Sequence, residues 1–349
     1  MILTNIEELR LYFPSHAIDS IDPFVGVLDN SEHDFLQEKL GTPLYNALCN
    51  YYDHSYSTSV DTQSTTPFNR LLLLCQRVIA YDAMSRAIGM HIVSINNAGV
   101  NIPTADDYGK VDLEAVRTFK NTCVKEAHAA VNRLLQTLEE WTKEVAASAS
   151  STSSSSSDEP TEQETIVTLW RQSRFFYLAA SMLIPSATVL QSYWNIYDSR
   201  EKFIQMLPDI RYIQEEVIAP AIGEDFCDAL VEVSQYATES GLLRRTIHKL
   251  RKVVAVMLEE RTQVISTDKL RRQTAHDEAV RMLQSALDYI QAHQESYRTD
   301  ENTEGPIYTA LRLSPLYVNP EPPTEETVTE PKFKNNRSDA AMFVTPALN

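Results

Sequence analysis

Apolar residues recur at three-and-four spacing along most of the chain, with polar positions between them, and this period predicts helices. The first runs from Phe24 to Leu40 and stops at Gly41, where glycine ends a helix without steric penalty. Thr42-Pro43 restarts a helix through Leu44, Leu48 and Tyr51, proline being favoured in a first turn. Asn69 to about Met90 is apolar nearly all round, which places it at the centre of its domain. Leu113 to about Glu144 is a long amphipathic helix carrying Ala127, Val131, Leu134, Leu135 and Leu138. A second series runs through Phe203–Ile222, Asp225–Tyr236, Leu242–Glu260 and Lys269 to about His293.

The two series match. Leu3–Phe13 returns as Ile184–Trp194 at an offset of 181, and His33–Leu48 returns as Glu215–Leu230 at an offset of 182. Arg251-Lys252-Val253-Val254-Ala255 aligns on Gln76-Arg77-Val78-Ile79-Ala80, and Leu283, Leu287 and Ile290 align on Val131, Leu135 and Leu138. What repeats is apolar spacing and a glycine, not an acid, base or nucleophile. That predicts a duplicated structural unit and points away from an enzyme. The copies differ at His91–Pro103, where apolar residues alternate around an Asn-Ala-Gly turn and predict a small β-hairpin. The second copy shortens this stretch to Thr262–Thr267.

The expected fold is therefore mainly α, with two tandem duplicated helical domains. Unit 1 spans 1–145 with its hairpin at about 91–103, and unit 2 spans 165–299. Between them, 146–164 is a Ser-rich flexible linker with nothing to bury. Residues 300–349, rich in Pro, Thr, Glu and Asn, read as an extended or disordered C-terminal tail whose end turns apolar again.

Composition narrows the function. With 349 residues the chain is long enough for two cores, and a net charge of −17 argues against a surface built throughout to neutralise phosphates. Cys49, Cys75, Cys123 and Cys227 form no C-x-x-C pair, and three of them, on predicted helices with apolar neighbours, read as small buried hydrophobes. The N-terminal residues show neither a basic nor an apolar signal region, and no stretch approaches the ~20 apolar residues of a membrane span. Synthesis and folding in a cytoplasm are the expectation, with no membrane partner.

Catalytic patterns are missing from the sequence: no H-E-x-x-H, phosphate-binding glycine loop, G-x-S-x-G or EF-hand loop occurs. His276-Asp277-Glu278 diverge by ~100° per residue on a helix and cannot converge on one ion. No catalytic, metal or cofactor-binding residue is expected, and no cofactor. One region is locally basic, with Arg244, Arg245, Lys249, Arg251, Lys252, Arg271 and Arg272. It faces nucleic acid, pairs with an acidic neighbouring subunit, or balances acids of the first copy, and the last two are preferred. Trp170, Phe175 and Phe176 form an aromatic stripe of the kind that anchors interfaces, and Met342, Phe343 and Leu348 form an apolar end suited to docking on a neighbour.

Phe35–Leu48, the long apolar helix after it, and Asn96-Asn97-Ala98-Gly99-Val100 together resemble uncharacterised structural proteins of phages and prophages of Bacteroidetes-type bacteria. Leu190–Trp194 and Tyr212–Gly223 resemble a second half of the same family. Such proteins are similar to the helical head–tail connector, or adaptor, proteins of tailed phages, which form rings beneath the portal. The resemblance implies a virion subunit present in the host cytoplasm during assembly. It also implies a homo-oligomeric ring with portal or tail proteins as partners, acting by association. A nucleic-acid-binding module using the basic face of the second domain is the alternative.

Overall fold

The computed structural model describes residues 1–13, 20–56, 66–91, 94–96, 99–101, 113–151, 160–178, 181–233, 241–263, 269–298 and 305–319. The fold is mainly α, and the chain divides into two compact units, Met1–Tyr212 and Ile213–Asn349.

In the first unit, α1 (Ile6–Tyr12) begins in a capping box: Asn5 accepts from the first turn while Glu8 reaches back to the Asn5 backbone. A 3-10 turn (Asp22–Phe24) leads into α2 (Val25–Asn30), a π-helical segment (Ser31–Leu36) and α3 (Gln37–Leu40). One helix was expected across Phe24–Leu40. The π segment inserts a residue into the ladder and rotates α3 relative to α2. Gly41 (φ +81°) then turns the chain into α4 (Thr42–His54), with Pro43 in its first turn.

The centre of this unit is α5 (Pro67–His91). It buries Leu71, Leu72, Cys75, Val78, Ile79 and Ala80, and packs along α6 (Leu113–Ser151). Between them β1 (Ser94–Asn96) and β2 (Gly99–Asn101) pair antiparallel, Ile95 opposite Val100. With 39 residues α6 is about 58 Å long. It runs six residues into the stretch expected to be linker, and 152–159 lie outside the described residues.

The boundary expected at the serine tract also moves. After the tract, α7 (Glu162–Arg171) starts in a Thr161/Glu164 capping box and packs on α4, α5 and α6, so it belongs to the first unit. There Ile166, Val167 and Trp170 are fully buried. Next come α8 (Ala187–Gln191), capped by Ser186, and α9 (Arg200–Tyr212).

The second unit opens with a π segment (Ile213–Ile218), α10 (Ala219–Ile222) and Gly223 (φ +93°), then α11 (Glu224–Val233). The antiparallel pair α12 (Gly241–Gln263) and α13 (Lys269–Ala292) carries most of its core, including Ile247, Leu250, Val254, Leu258 and Ile290. A 3-10 turn (Gln294–Tyr297) comes after them. Residues 305–319, expected to be extended tail, contain α14 (Pro306–Arg312), which packs on α11 with Tyr308 and Leu311 fully buried. Seven residues are too few for a period to show, yet two buried side chains fix them.

Candidate functional site

Both units are closed by the same device. At the end of α7 the Ser173 N–H donates to the Trp170 carbonyl (3.0 Å), and its carbonyl accepts from Phe176 N–H (3.0 Å). Its Oγ accepts from Phe175 N–H at 3.1 Å. At the end of α14 the Ser314 N–H donates to Leu311 (3.0 Å), and its carbonyl accepts from Tyr317 N–H (3.2 Å). Its Oγ accepts from Leu316 N–H at 3.3 Å. Each serine rests on a glycine. A Cβ on Gly41 would run into Ser173 Oγ, and one on Gly223 would come within 2.7 Å of Ser314 Cβ. The positive φ and the close approach both demand glycine there. The trace of this device in the sequence is Thr168-Leu-Trp-Arg-Gln-Ser173 against Thr309-Ala-Leu-Arg-Leu-Ser314, a likeness too short for apolar periodicity to bring out.

The π segments correspond as well. The second residue of each, Glu32 and Gln214, is turned into the interior. Glu32 accepts from the Ile2 N–H at 2.9 Å and the Tyr45 hydroxyl at 2.8 Å. Gln76 donates to the Ile2 carbonyl at 2.8 Å, so both sides of the Ile2 backbone are held by buried side chains. Burial pushes the Glu32 carboxyl above its usual range, against the opposing effect of the Tyr45 hydrogen bond. Its acidity is thus turned to fastening the N-terminal segment.

A second buried polar cluster ties α6 to α9. Arg200 lies 3.4 Å from Glu139 and 3.0 Å from Asp198, and also donates to Thr188 at 3.2 Å. Glu139 accepts from Tyr177 at 2.6 Å, and burial followed by the Glu139 charge raises the Tyr177 hydroxyl far above its ordinary value. Burial also pushes the Cys227 thiol up to about 12.

An open groove of about 450 Å³ lies beside the first clasp, lined by His33, Asp34, Glu38, Gly41, Arg174 and Phe175 among others. Its charges are mixed and exposed. Among the described residues no group of three His, Cys, Asp or Glu side chains is placed to hold a metal ion.

Trp170, expected as an interface anchor, is instead wholly buried in its own unit, edge-on to Phe176 at 5.0 Å and Tyr177 at 5.6 Å. Phe175 and Phe176 are half-buried, with the Arg174 guanidinium 4.5 Å over Phe175. Met342, Phe343 and Leu348 lie outside the described residues. Among the described residues the most exposed aromatic of this unit is Tyr197, 77% accessible and left-handed (φ +59°), with the Lys202 ammonium 4.7 Å over its ring.

The basic residues gather on one helix face. At ~100° per residue, Arg251, Arg244, His248, Lys252, Arg245 and Lys249 succeed one another around about 160° of α12. Arg244, Arg245, His248 and Lys252 are exposed, while Lys249 and Arg251 are half-buried. Arg271 and Arg272 belong to α13 and not to this arc. An acidic face, which composition alone does not single out, lies on α11. All four of its exposed positions are acids (Glu224, Asp225, Asp228 and Glu232), within about 100° of arc.

No described helix is long and apolar enough to cross a membrane. No curated protein and no solved structure matches the chain. Residues 36–168, from the end of the first π segment into α7, are similar to a family of unknown function, DUF6712.

Proposed function

We propose that the chain is a non-enzymatic assembly subunit of a phage or prophage virion, a head–tail connector built from two tandem copies of one helical unit. The observation that carries the reading is the recurrence of a whole packing device. Each copy has a π segment that buries a polar side chain, a positive-φ glycine, and a closing helix whose serine rests on that glycine. The buried ionisable groups hold elements together: Glu32 fastens the N-terminal segment, and Glu139 with Arg200 fastens α6 to α9. Such a chain acts through its surfaces. The resemblance of Phe35–Leu48 and Tyr212–Gly223 to phage structural proteins supplies the setting.

The test is the mass in solution of the full chain, by light scattering, beside a chain ending at Asn319. That endpoint keeps α14, so only residues 320–349 are lost. A closed oligomer visible as rings by electron microscopy is expected, weakened when Met342, Phe343 and Leu348 are removed. A chain that stays monomeric at every concentration refutes the reading.

A further inference from the structure

We infer that copies of this chain join head to tail, the acidic face of α11 on one copy seating against the basic arc of α12 on the next. The inference rests on the assembly reading, since it names the surfaces through which copies meet.

Both faces belong to the second unit, and each is of one sign. Every exposed position of α11 is an acid, while its other side buries Phe226, Cys227, Leu230 and Val231. Between Gly241 and Leu258, α12 carries no acid, and its solvent side through Lys252 is basic. Among the described residues, no ion pair is made by Glu224, Asp225, Asp228, Glu232, Arg244, Arg245 or Lys252.

The first unit shows that the fold does not require the acids of α11. The positions on α4 that correspond to Glu224, Asp225, Asp228 and Glu232 are Thr42, Pro43, Asn46 and Asn50, all uncharged. On α5 the positions corresponding to Arg244, Arg245, His248, Lys249, Arg251 and Lys252 are Asn69, Arg70, Leu73, Leu74, Gln76 and Arg77, so two of the six stay basic. The Tyr12 hydroxyl of α1 donates to the Leu73 carbonyl, and Gln76 donates to Ile2. The part of that face at Leu73 and Gln76 is thus engaged by the first unit's own N-terminal segment, and Arg77 pairs with Glu126 of α6. Two patches of opposite sign at different places on one unit make a heterologous contact, which closes into a ring or runs on as a filament. Acidic protein is a better match than nucleic acid, because the complementary surface is present on the same chain at the same helical scale.

The full-length chain tests this in two charge-reversed forms: Arg244→Glu with Arg245→Glu and Lys252→Glu, and Glu224→Lys with Asp225→Lys and Asp228→Lys. All six positions are exposed, and circular dichroism checks that each form folds. Sedimentation of the wild type should show association that weakens with salt. Each triple variant alone should associate at least about tenfold more weakly, since like charges then oppose each other. An equimolar mixture of the two should associate again, because every remaining contact pairs opposite signs. Association that persists unchanged in both variants removes these faces from the interface and leaves the assembly reading standing. A monomeric wild type overturns both. Binding of duplex DNA that is lost in the α12 variant, with association untouched in either variant, assigns the arc to nucleic acid and overturns the inference.

Discussion

Replacing Gly41 by alanine probes the clasp most directly. Its backbone (φ +81°, ψ 155°) lies in a region that only glycine adopts freely, and holding another residue there costs about 1–3 kcal/mol. The added methyl also collides with Ser173, whose position is fixed by two backbone hydrogen bonds and one to its Oγ, so α7 must lift away. Losing even part of the burial of Trp170 and Ile166 adds about 1–3 kcal/mol, for a total of roughly 2–6 kcal/mol. Hydrogen exchange resolved by segment is the assay, because two units need not unfold together. Protection should fall in α4 and α7, with α11 and α14 unchanged. Gly223→Ala should do the reverse. Gly26 supplies the control: its Cβ would meet nothing, and alanine within a helix is favoured by about 0.5–1 kcal/mol. Adding Ser173→Gly to Gly41→Ala relieves the collision but not the backbone strain, so protection should return only in part. If Gly41→Ala exchanges like Gly26→Ala, the clasp does not hold the unit closed.

Three further outcomes depend on buried groups. The Glu32 carboxyl titrates higher when folded than when unfolded, so its contribution is fully present below about pH 4.3. That contribution is lost as pH rises through the raised value. Glu32→Gln, which copies Gln214 of the second unit, should fold and show a flatter fall of stability with pH across that window in urea titrations. Arg200→Met leaves Glu139 buried without its cation and should cost about 3–5 kcal/mol, whereas Arg200→Met with Glu139→Gln should cost less than that. A chain ending at Arg298 loses the burial of Tyr308 and Leu311, about 3–6 kcal/mol from unit 2, while one ending at Asn319 keeps the full transition in thermal melts.

The helices were legible wherever an apolar stripe ran for three turns or more, as in α5, α6, α12 and α13. Both glycines were legible as stops, but the serines beneath them were not, because a packing partner about 130 residues away in the first unit leaves no local period. Glu32 was invisible for a related reason. An acid in a chain of net charge −17 reads as surface, and only the Tyr45 hydroxyl and the Ile2 amide show otherwise. The serine tract marked a linker without saying which side owned α7, so Trp170 was assigned to the wrong unit. The charged arcs were half legible. The basic residues stood out by number, whereas α11 supplied four acids that looked like ordinary solubilising charge until burial showed that they are its fully exposed positions.

Each clasp joins an early glycine to a much later serine, and this has a consequence for synthesis on the ribosome. Gly41 leaves the tunnel about 130 residues before Ser173, an interval of roughly 7–26 s at ordinary elongation rates. Throughout that interval α4, α5 and α6 exist without the helix that covers them, and the nascent chain shows apolar surface to other polysomes. The polar serine tract is translated last before the cover arrives, so the exposed state ends on a soluble stretch. Slow codons placed between Ser151 and Thr161 would lengthen this window, and faster ones would shorten it.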